Sequence, residues 1–151
     1  MRIITANTNG IRAAARKGFF EWLKKVDADV ICIQETKAQE HQLSDPQFCP
    51  EGYFCQYHDA IKKGYSGVAI YSKAIPKKVT KGIGWHDIDI EGRFLEFQYE
   101  KLSIISLYMH SGSASEERQD VKFDFMERFM GYLQSLRRKR REFIICGDWN
   151  I

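Results

Sequence analysis

Three apolar runs in this sequence end in side chains that carry oxygen. Residues 2–6 lead into Asn7 and Asn9, Val30-Ile31-Cys32-Ile33 leads into Glu35, and residues 143–146 lead into Asp148 and Asn150. A fourth run, residues 102–107, ends at the phenol of Tyr108. Short runs rich in β-branched residues read as strands buried on both faces. Such strands commonly deliver their function at the carboxyl end, where the chain leaves the sheet. If these strands are neighbours, their polar ends converge on one rim. Carboxylates and amide oxygens, with no His or Cys among them, favour Mg²⁺ or Mn²⁺ over zinc. Magnesium keeps several waters and takes one or two protein carboxylates, with phosphate completing its shell. That suits phosphodiester hydrolysis, in which a second carboxylate orients or deprotonates a water.

Each strand end alone has a plainer reading. Glu35 also reads as a helix N-cap or a solvated loop acid. Asn7-Thr8-Asn9-Gly10 also reads as a turn, because Asn and Gly tolerate positive φ. The set of strand ends is what points to a site.

The elements that must position these residues follow from periodicity. Residues 11–26 carry Phe19, Trp22, Leu23 and Val26 at helical spacing, with Arg16, Lys17, Lys24 and Lys25 on the other face, which predicts one amphipathic helix. Strand, helix and strand then suggest a βαβ-like opening. A short helix is expected before Pro46, and strands over residues 53–57, 68–72, 79–84, 93–99 and 102–108, with Glu91-Gly92 as a hairpin turn. Residues 60–67 form a basic, glycine-containing loop, and residues 111–115 a Ser/Gly loop. A long helix opens after Ser115, with Val121, Phe125, Phe129, Leu133 and Leu136 as its core stripe. The run Arg137-Arg138-Lys139-Arg140-Arg141 is explained by cations favouring a helix C-terminus; a nucleic-acid patch is the weaker reading.

Bulk properties set the frame. The chain has 151 residues, 44% hydrophobic and 28% charged, which predicts one globular domain with a real core, residues 1–151. A net charge of +3 permits a polyanionic partner without requiring one. The four cysteines include no C-x-x-C pair, and Cys32 and Cys146 lie inside apolar runs. Reduced thiols in a cytoplasmic protein, with no signal peptide and no membrane span, are the expectation.

With these residues in view, the chain resembles the exonuclease III family of AP endonucleases, within the endonuclease/exonuclease/phosphatase superfamily. The matching stretches are Asn7-Thr8-Asn9-Gly10-Ile11-Arg12-Ala13, Gln34-Glu35-Thr36-Lys37, Gly64-Tyr65-Ser66-Gly67-Val68-Ala69, Glu91-Gly92-Arg93, Leu107-Tyr108 and Gly147-Asp148-Trp149-Asn150. The resemblance implies an α/β fold, a four-layer DNase I-like sandwich of which this chain is the first half, a mixed sheet with flanking helices. It implies an Mg²⁺-dependent DNA-repair nuclease (Mn²⁺ as substitute) that cleaves duplex DNA 5′ to abasic sites and at 3′ ends, including blocked ones. By the same resemblance Glu35 and Asn7 sit at the metal with Asp148 and Asn150, Tyr108 contacts the scissile phosphate, and Asp148 and Asn150 handle the attacking water. Asn9, Arg12, Lys62, Lys63, Tyr65 and Arg93 lie on the DNA side.

The chain departs from the family pattern in three places. Trp149 stands where Phe is usual. His110 stands where Pro is usual, and reads as a solvated loop histidine, with phosphate contact as the alternative. The family's later Asn and its final Asp-His pair have no counterpart before Ile151, so the isolated chain is expected to be a poor catalyst. The second sheet is expected to be missing, leaving an apolar inner sheet face to be covered by the C-terminal half or by self-association. Two other function classes remain at this point. One is a different phosphohydrolase of the superfamily, acting on inositol phosphates or sphingomyelin or resembling DNase I. The other is a non-catalytic DNA-binding fragment.

Overall fold

The computed structural model describes residues 1–113 and 115–151. Among these residues, eight strands form two four-stranded sheets. The first sheet holds β1 (Ile3–Asn7), β2 (Val30–Gln34), β3 (Phe54–His58) and β4 (Val68–Ser72), in the order β1-β2-β4-β3. The second holds β5 (Lys78–Lys81), β6 (Phe94–Gln98), β7 (Leu102–Tyr108) and β8 (Glu142–Asp148), in sequence order. In each sheet one pair is parallel, β1 with β2 and β7 with β8, and the remaining pairs are antiparallel.

Alternation along the strands builds the layers, because successive side chains point to opposite faces. On β2, Ile31 and Ile33 face one way, and pack with Ile11, Phe20 and Leu23 of α1 (Ile11–Arg16) and α2 (Phe19–Val26). Val30 and Cys32 face the other way, and meet Leu95, Phe97 and Ile104 of the second sheet. The far face of that sheet turns Phe94, Ile105 and Leu107 onto Ile88 of α3 (His86–Asp89) and onto Phe125 and Phe129 of α4 (Glu116–Leu136). The order is helices, sheet, sheet, helices: the four-layer α/β sandwich that the resemblance implies for the family, with both sheets already within this chain.

One expected detail is corrected. A second sheet is present, and the two inner faces cover each other. What remains open is the flank. Strand β1 ends one sheet and β8 the other, and Thr5, on the inner face of β1, is exposed. Along α4, Phe123 is 55% exposed and Val121, Met126 and Met130 are exposed with it, so the expected core stripe holds only from Phe125 onward.

Local corrections have local causes. The single helix expected over residues 11–26 breaks in two, because Gly18 adopts the left-handed conformation (φ 89°) between α1 and α2. Two 3₁₀ turns, Glu40–Gln42 and Pro46–Phe48, replace the short helix before Pro46, and Pro46 starts the second one. The hairpin expected at Glu91-Gly92 is the exit from α3, a single turn too short for periodicity to reveal. Ser115 caps α4, its Oγ accepting from Arg118 N at 3.2 Å. The Ser/Gly loop expected over residues 111–115 includes Ala114, which lies outside the described residues. No helix among the described residues is long and apolar enough to cross a membrane.

Gly92 shows how tightly the rim is built. Its φ is +60°, and a Cβ there would stand 2.5 Å from His58 O and from Asp59 C, backbone atoms that have little room to move. Gly131, on the exposed side of α4, has nothing within 4 Å of its Cβ position. Gly92→Ala is therefore expected to destabilise by about 2 kcal/mol or more, and Gly131→Ala to stabilise by about 0.5–1 kcal/mol. Urea denaturation midpoints of the two variants check both signs.

Candidate active site

The parallel pairs bring the four polar strand ends to one rim. Asn7 lies beside Gln34 in the first sheet, and Tyr108 beside Asp148 in the second. Across the gap, Asn7 Nδ2 donates to Asp148 Oδ2 at 2.7 Å, and the Tyr108 hydroxyl donates to Glu35 Oε1. The residues expected to cluster, Asn7, Glu35, Tyr108, Asp148 and Asn150, are thus joined in two hydrogen-bonded pairs plus a neighbour.

Backbone geometry aims these side chains. Glu35, Asn9, Lys37 and Asn150 all have positive φ, between 43° and 52°, an uncommon conformation for residues with a Cβ. It turns the chain sharply off each strand. The turns are held by backbone bonds between neighbouring loops: Gly10 N to Glu35 O at 2.7 Å, Ile11 N to Thr36 O at 2.9 Å, and Lys37 N to Ser66 O at 2.8 Å. On the other sheet, Met109 N donates to Asp148 O at 2.9 Å, and Asn150 Nδ2 donates to Met109 O at 2.6 Å. Asp148 accepts at both carboxylate oxygens, from Asn7 and from Asn150 N at 2.9 Å, so its plane is fixed.

The electrostatics divide the site into two kinds of group. Burial, then the hydrogen bond to Glu35 and its negative charge, push the Tyr108 phenol well above its ordinary range, against the opposing charge of Arg93. Tyr108 is therefore a protonated donor at neutral pH. Glu35 Oε2 faces the Lys37 ammonium at 3.7 Å. Lys37 Nζ also donates to Asn9 Oδ1 at 2.5 Å. The acid and amide groups here offer hard oxygens, and among the described residues no three His, Cys, Asp or Glu side chains converge closely enough to hold a metal by themselves. Two carboxylates with amide oxygens beside them fit magnesium, which leaves most of its shell to water and phosphate.

Arg93 takes a different part from the one expected. It is 2% exposed and has almost no surface to offer DNA. Its Nε donates to Glu91 Oε2, Nη1 to Tyr108 O at 3.1 Å and Nη2 to the Tyr65 hydroxyl at 2.8 Å. The guanidinium lies 4.9 Å from the Tyr108 ring centre and 5.6 Å from that of Tyr65. A buried cation needs a partnered environment, and this one braces the site from beneath. Lys62, Lys63, Asn9 and Arg12 are exposed, and Lys62 Nζ sits 5.1 Å over the Tyr65 ring.

His110 is also corrected. It is 6% exposed, not a solvated loop residue, and its Nε2 lies 2.8 Å from Glu91 Oε2. Glu91 feels burial, which would raise its pKa, but hydrogen bonds and charge from His110 and Arg93 outweigh that and bring it down to about 2. Sequence reasoning also missed Lys37 and Gln34. Both lie in the Gln-Glu-Thr-Lys stretch, but nothing in it distinguishes a residue at the site from a flanking one.

Two facing mixed sheets, sandwiched by helices and carrying acid and amide side chains at one rim, define a class. Residues 4–151 match the Endonuclease/Exonuclease/phosphatase family, and the chain belongs to it. Within that family it is 40% identical to an exodeoxyribonuclease of Bacillus subtilis, covering all of this chain and 59% of that protein. It is 34% identical to the DNA repair nuclease APEX1 of Danio rerio, covering 49% of it. Among solved structures, an AP endonuclease from Archaeoglobus fulgidus superimposes with a TM-score of 0.85 at 29% identity, over 100% of this chain and 58% of that one. The chain spans about half the length of the curated relatives it matches.

The Glu91 contacts set a pH dependence. A carboxylate with a folded pKa of about 2 and an unfolded value near 4.5 stabilises the fold fully above pH 4.5, and loses that contribution as pH falls through 2. Wild type is expected to exceed Glu91→Gln in denaturation midpoint at pH 6, with the gap narrowing as pH falls below 4.5 and closing only below pH 2. A constant gap across that range would show that the Glu91 charge is not the source.

Proposed function

We propose that this chain is the site-bearing half of a Mg²⁺-dependent DNA-repair nuclease. Its substrates would be duplex DNA with abasic sites, cut 5′ to the lesion, and 3′ ends, including blocked ones, as in base excision repair. The observation that carries the reading is the meeting of Asn7 with Asp148 and of Tyr108 with Glu35 at one rim. The names of the relatives, an exodeoxyribonuclease and DNA repair nucleases, support the substrate class. A cytoplasmic setting is part of the same reading.

Glu35 and Asn7, with Asp148 and Asn150 beside them, would hold Mg²⁺ or Mn²⁺, which when bound supplies positive charge against the negative charge that develops on the phosphoryl group. The protein's own groups do the rest. Asp148 takes a proton from the attacking water, and its plane is already set by its two hydrogen bonds. Asn150 holds that water's orientation. Tyr108, a neutral phenol, donates to a phosphate oxygen, exchanging Glu35 for substrate. Lys62 and Lys63 lie against the DNA backbone, with Tyr65 beside them.

The open flank along β1 and β8 fits this reading. The apolar side chains of α4 nearby, Phe123, Met126 and Met130, are surface that a further half of the sandwich would cover. Self-association is the competing way to cover it, and light scattering separates the two.

Incubation with an abasic-site duplex and Mg²⁺ tests the reading. At natural length the protein is expected to nick 5′ to the abasic site, and Asp148→Asn to lower the rate on the order of 10²–10⁴-fold. Residues 1–151 alone are expected to be slower on the order of 10²–10³-fold or more, with rate restored by adding the remaining half as a separate chain. An Asp148→Asn variant with unchanged cleavage, or turnover of an inositol phosphate in place of DNA, would overturn the reading. Lys62→Ala with Lys63→Ala is expected to weaken binding to all duplex sequences alike and to flatten the salt dependence by about 0.9 per lost phosphate contact. Affinity and slope unchanged would make the loop a solvated hairpin.

A further inference from the structure

The three residues Tyr108, Met109 and His110 leave β7 in different directions, and each is tied to another part of the rim. The Tyr108 hydroxyl reaches Glu35 across the sheets. The Met109 backbone is bonded on both sides, to Asp148 O and to the Asn150 side chain. His110 turns back toward the Glu91-Gly92-Arg93 turn, where its Nε2 meets Glu91 Oε2 at 2.8 Å. A carboxylate oxygen only accepts, so Nε2 carries the hydrogen. The ring's other nitrogen, Nδ1, is buried with no hydrogen-bond partner among the described residues. The ring stands edge-on to Phe125 of α4, 5.8 Å between centres, which gives it a fixed wall.

Glu91 is the carboxylate paired with the buried Arg93 cation. It is also the more exposed member, with 28% of its side chain accessible against 2% for Arg93. A half-open carboxylate held by one donor has rotamers to explore, whereas one held at the same oxygen by His110 and Arg93 does not. Arg93 in turn touches both tyrosines of the rim, through Tyr108 O, the Tyr65 hydroxyl and both rings. The path from His110 to Tyr108 therefore runs through two charged hydrogen-bonded groups, Glu91 and Arg93, which meets the Tyr108 carbonyl and ring.

We infer that His110 is a positioning residue for the reaction: by clamping Glu91 it fixes the Arg93 guanidinium against Tyr65 and Tyr108, and so sets where the Tyr108 hydroxyl stands relative to Glu35. The inference rests on the nuclease reading for its kinetic consequence, and on geometry alone for the placement of the two tyrosines. His110 touches neither substrate nor metal in this role.

Two near-isosteric variants of the protein at natural length separate reach from packing. Gln at 110 puts an amide nitrogen near the place of Nε2, and Asn puts it near the place of Nδ1, too short to reach Glu91. His110→Asn is expected to lower kcat on an abasic-site duplex about tenfold, less than the ~10²-fold of a full ångström of misplacement, with KM within about twofold. His110→Gln is expected to recover most of that loss. Glu91→Gln is expected to lower kcat similarly, and adding His110→Asn to it is expected to cost nothing further. In parallel, 3-fluorotyrosine is incorporated and the Tyr65 and Tyr108 fluorine signals are assigned with Tyr65→Phe and Tyr108→Phe. Both signals are expected to move in His110→Asn and to stay in His110→Gln. Unmoved signals in His110→Asn, or equal kcat losses in the Asn and Gln variants, would overturn the positioning role. Moved signals in a protein whose wild type cleaves no DNA would support the positioning and sink the nuclease reading instead.

Discussion

A buried amide holds the two sheets in register. Gln34, 1% exposed at the end of β2, donates through Nε2 to Ser106 Oγ of β7 at 3.0 Å and accepts at Oε1 from Thr5 of β1 at 3.1 Å. Ser106 returns a bond to Ile33 O at 3.1 Å. Apolar side chains in the layer between sheets attract without direction, so they permit the sheets to slide. A buried polar group left unpartnered costs roughly 1–3 kcal/mol, so the Gln34 and Ser106 bonds penalise such slippage. They sit one residue before Glu35 and two before Tyr108. The register they set is the one in which the phenol meets the carboxylate.

Above that register lies a tier of backbone turns, and above the turns the charged groups. Glu35, Asn9, Lys37 and Asn150 accept left-handed backbone so that their side chains point into the rim. Each such residue costs of order 1–3 kcal/mol and persists only where its surroundings over-determine it. Here the surroundings are the paired loops and, on the other sheet, the Met109 ties. Strain at the rim and rigidity beneath it are therefore two sides of one arrangement.

The strands were legible because their signal is local. Residues 68–72 and 102–108 match β4 and β7 residue for residue, since apolar runs bounded by turn residues leave little choice. The rim set of Asn7, Glu35, Tyr108 and Asp148 was legible for the same reason, as polar ends on apolar runs. Sheet membership was not, because nothing in a strand's own residues says which of two stacked sheets it joins. That is why the second sheet was expected to be missing when half of the strands already belonged to it. His110 and Arg93 were misread for a related reason. Charged and titratable residues in a turn look solvated until the turn is folded against Phe125 and two tyrosines.

The hydrogen bond from Asn7 to Asp148 spans 141 positions of the chain, and that from Tyr108 to Glu35 spans 73. On the ribosome, at about 5–20 residues per second, the amide of Asn7 waits roughly 7–28 s for its carboxylate to be synthesised, and longer for it to clear the exit tunnel. During that interval β1 and β2 can pair and cover themselves with α1 and α2, but the rim has only half of its acids. A nascent chain of this protein therefore carries Glu35 without Asp148 for most of that interval. A cell that makes it carries no partly built version able to assemble that centre ahead of the eighth strand.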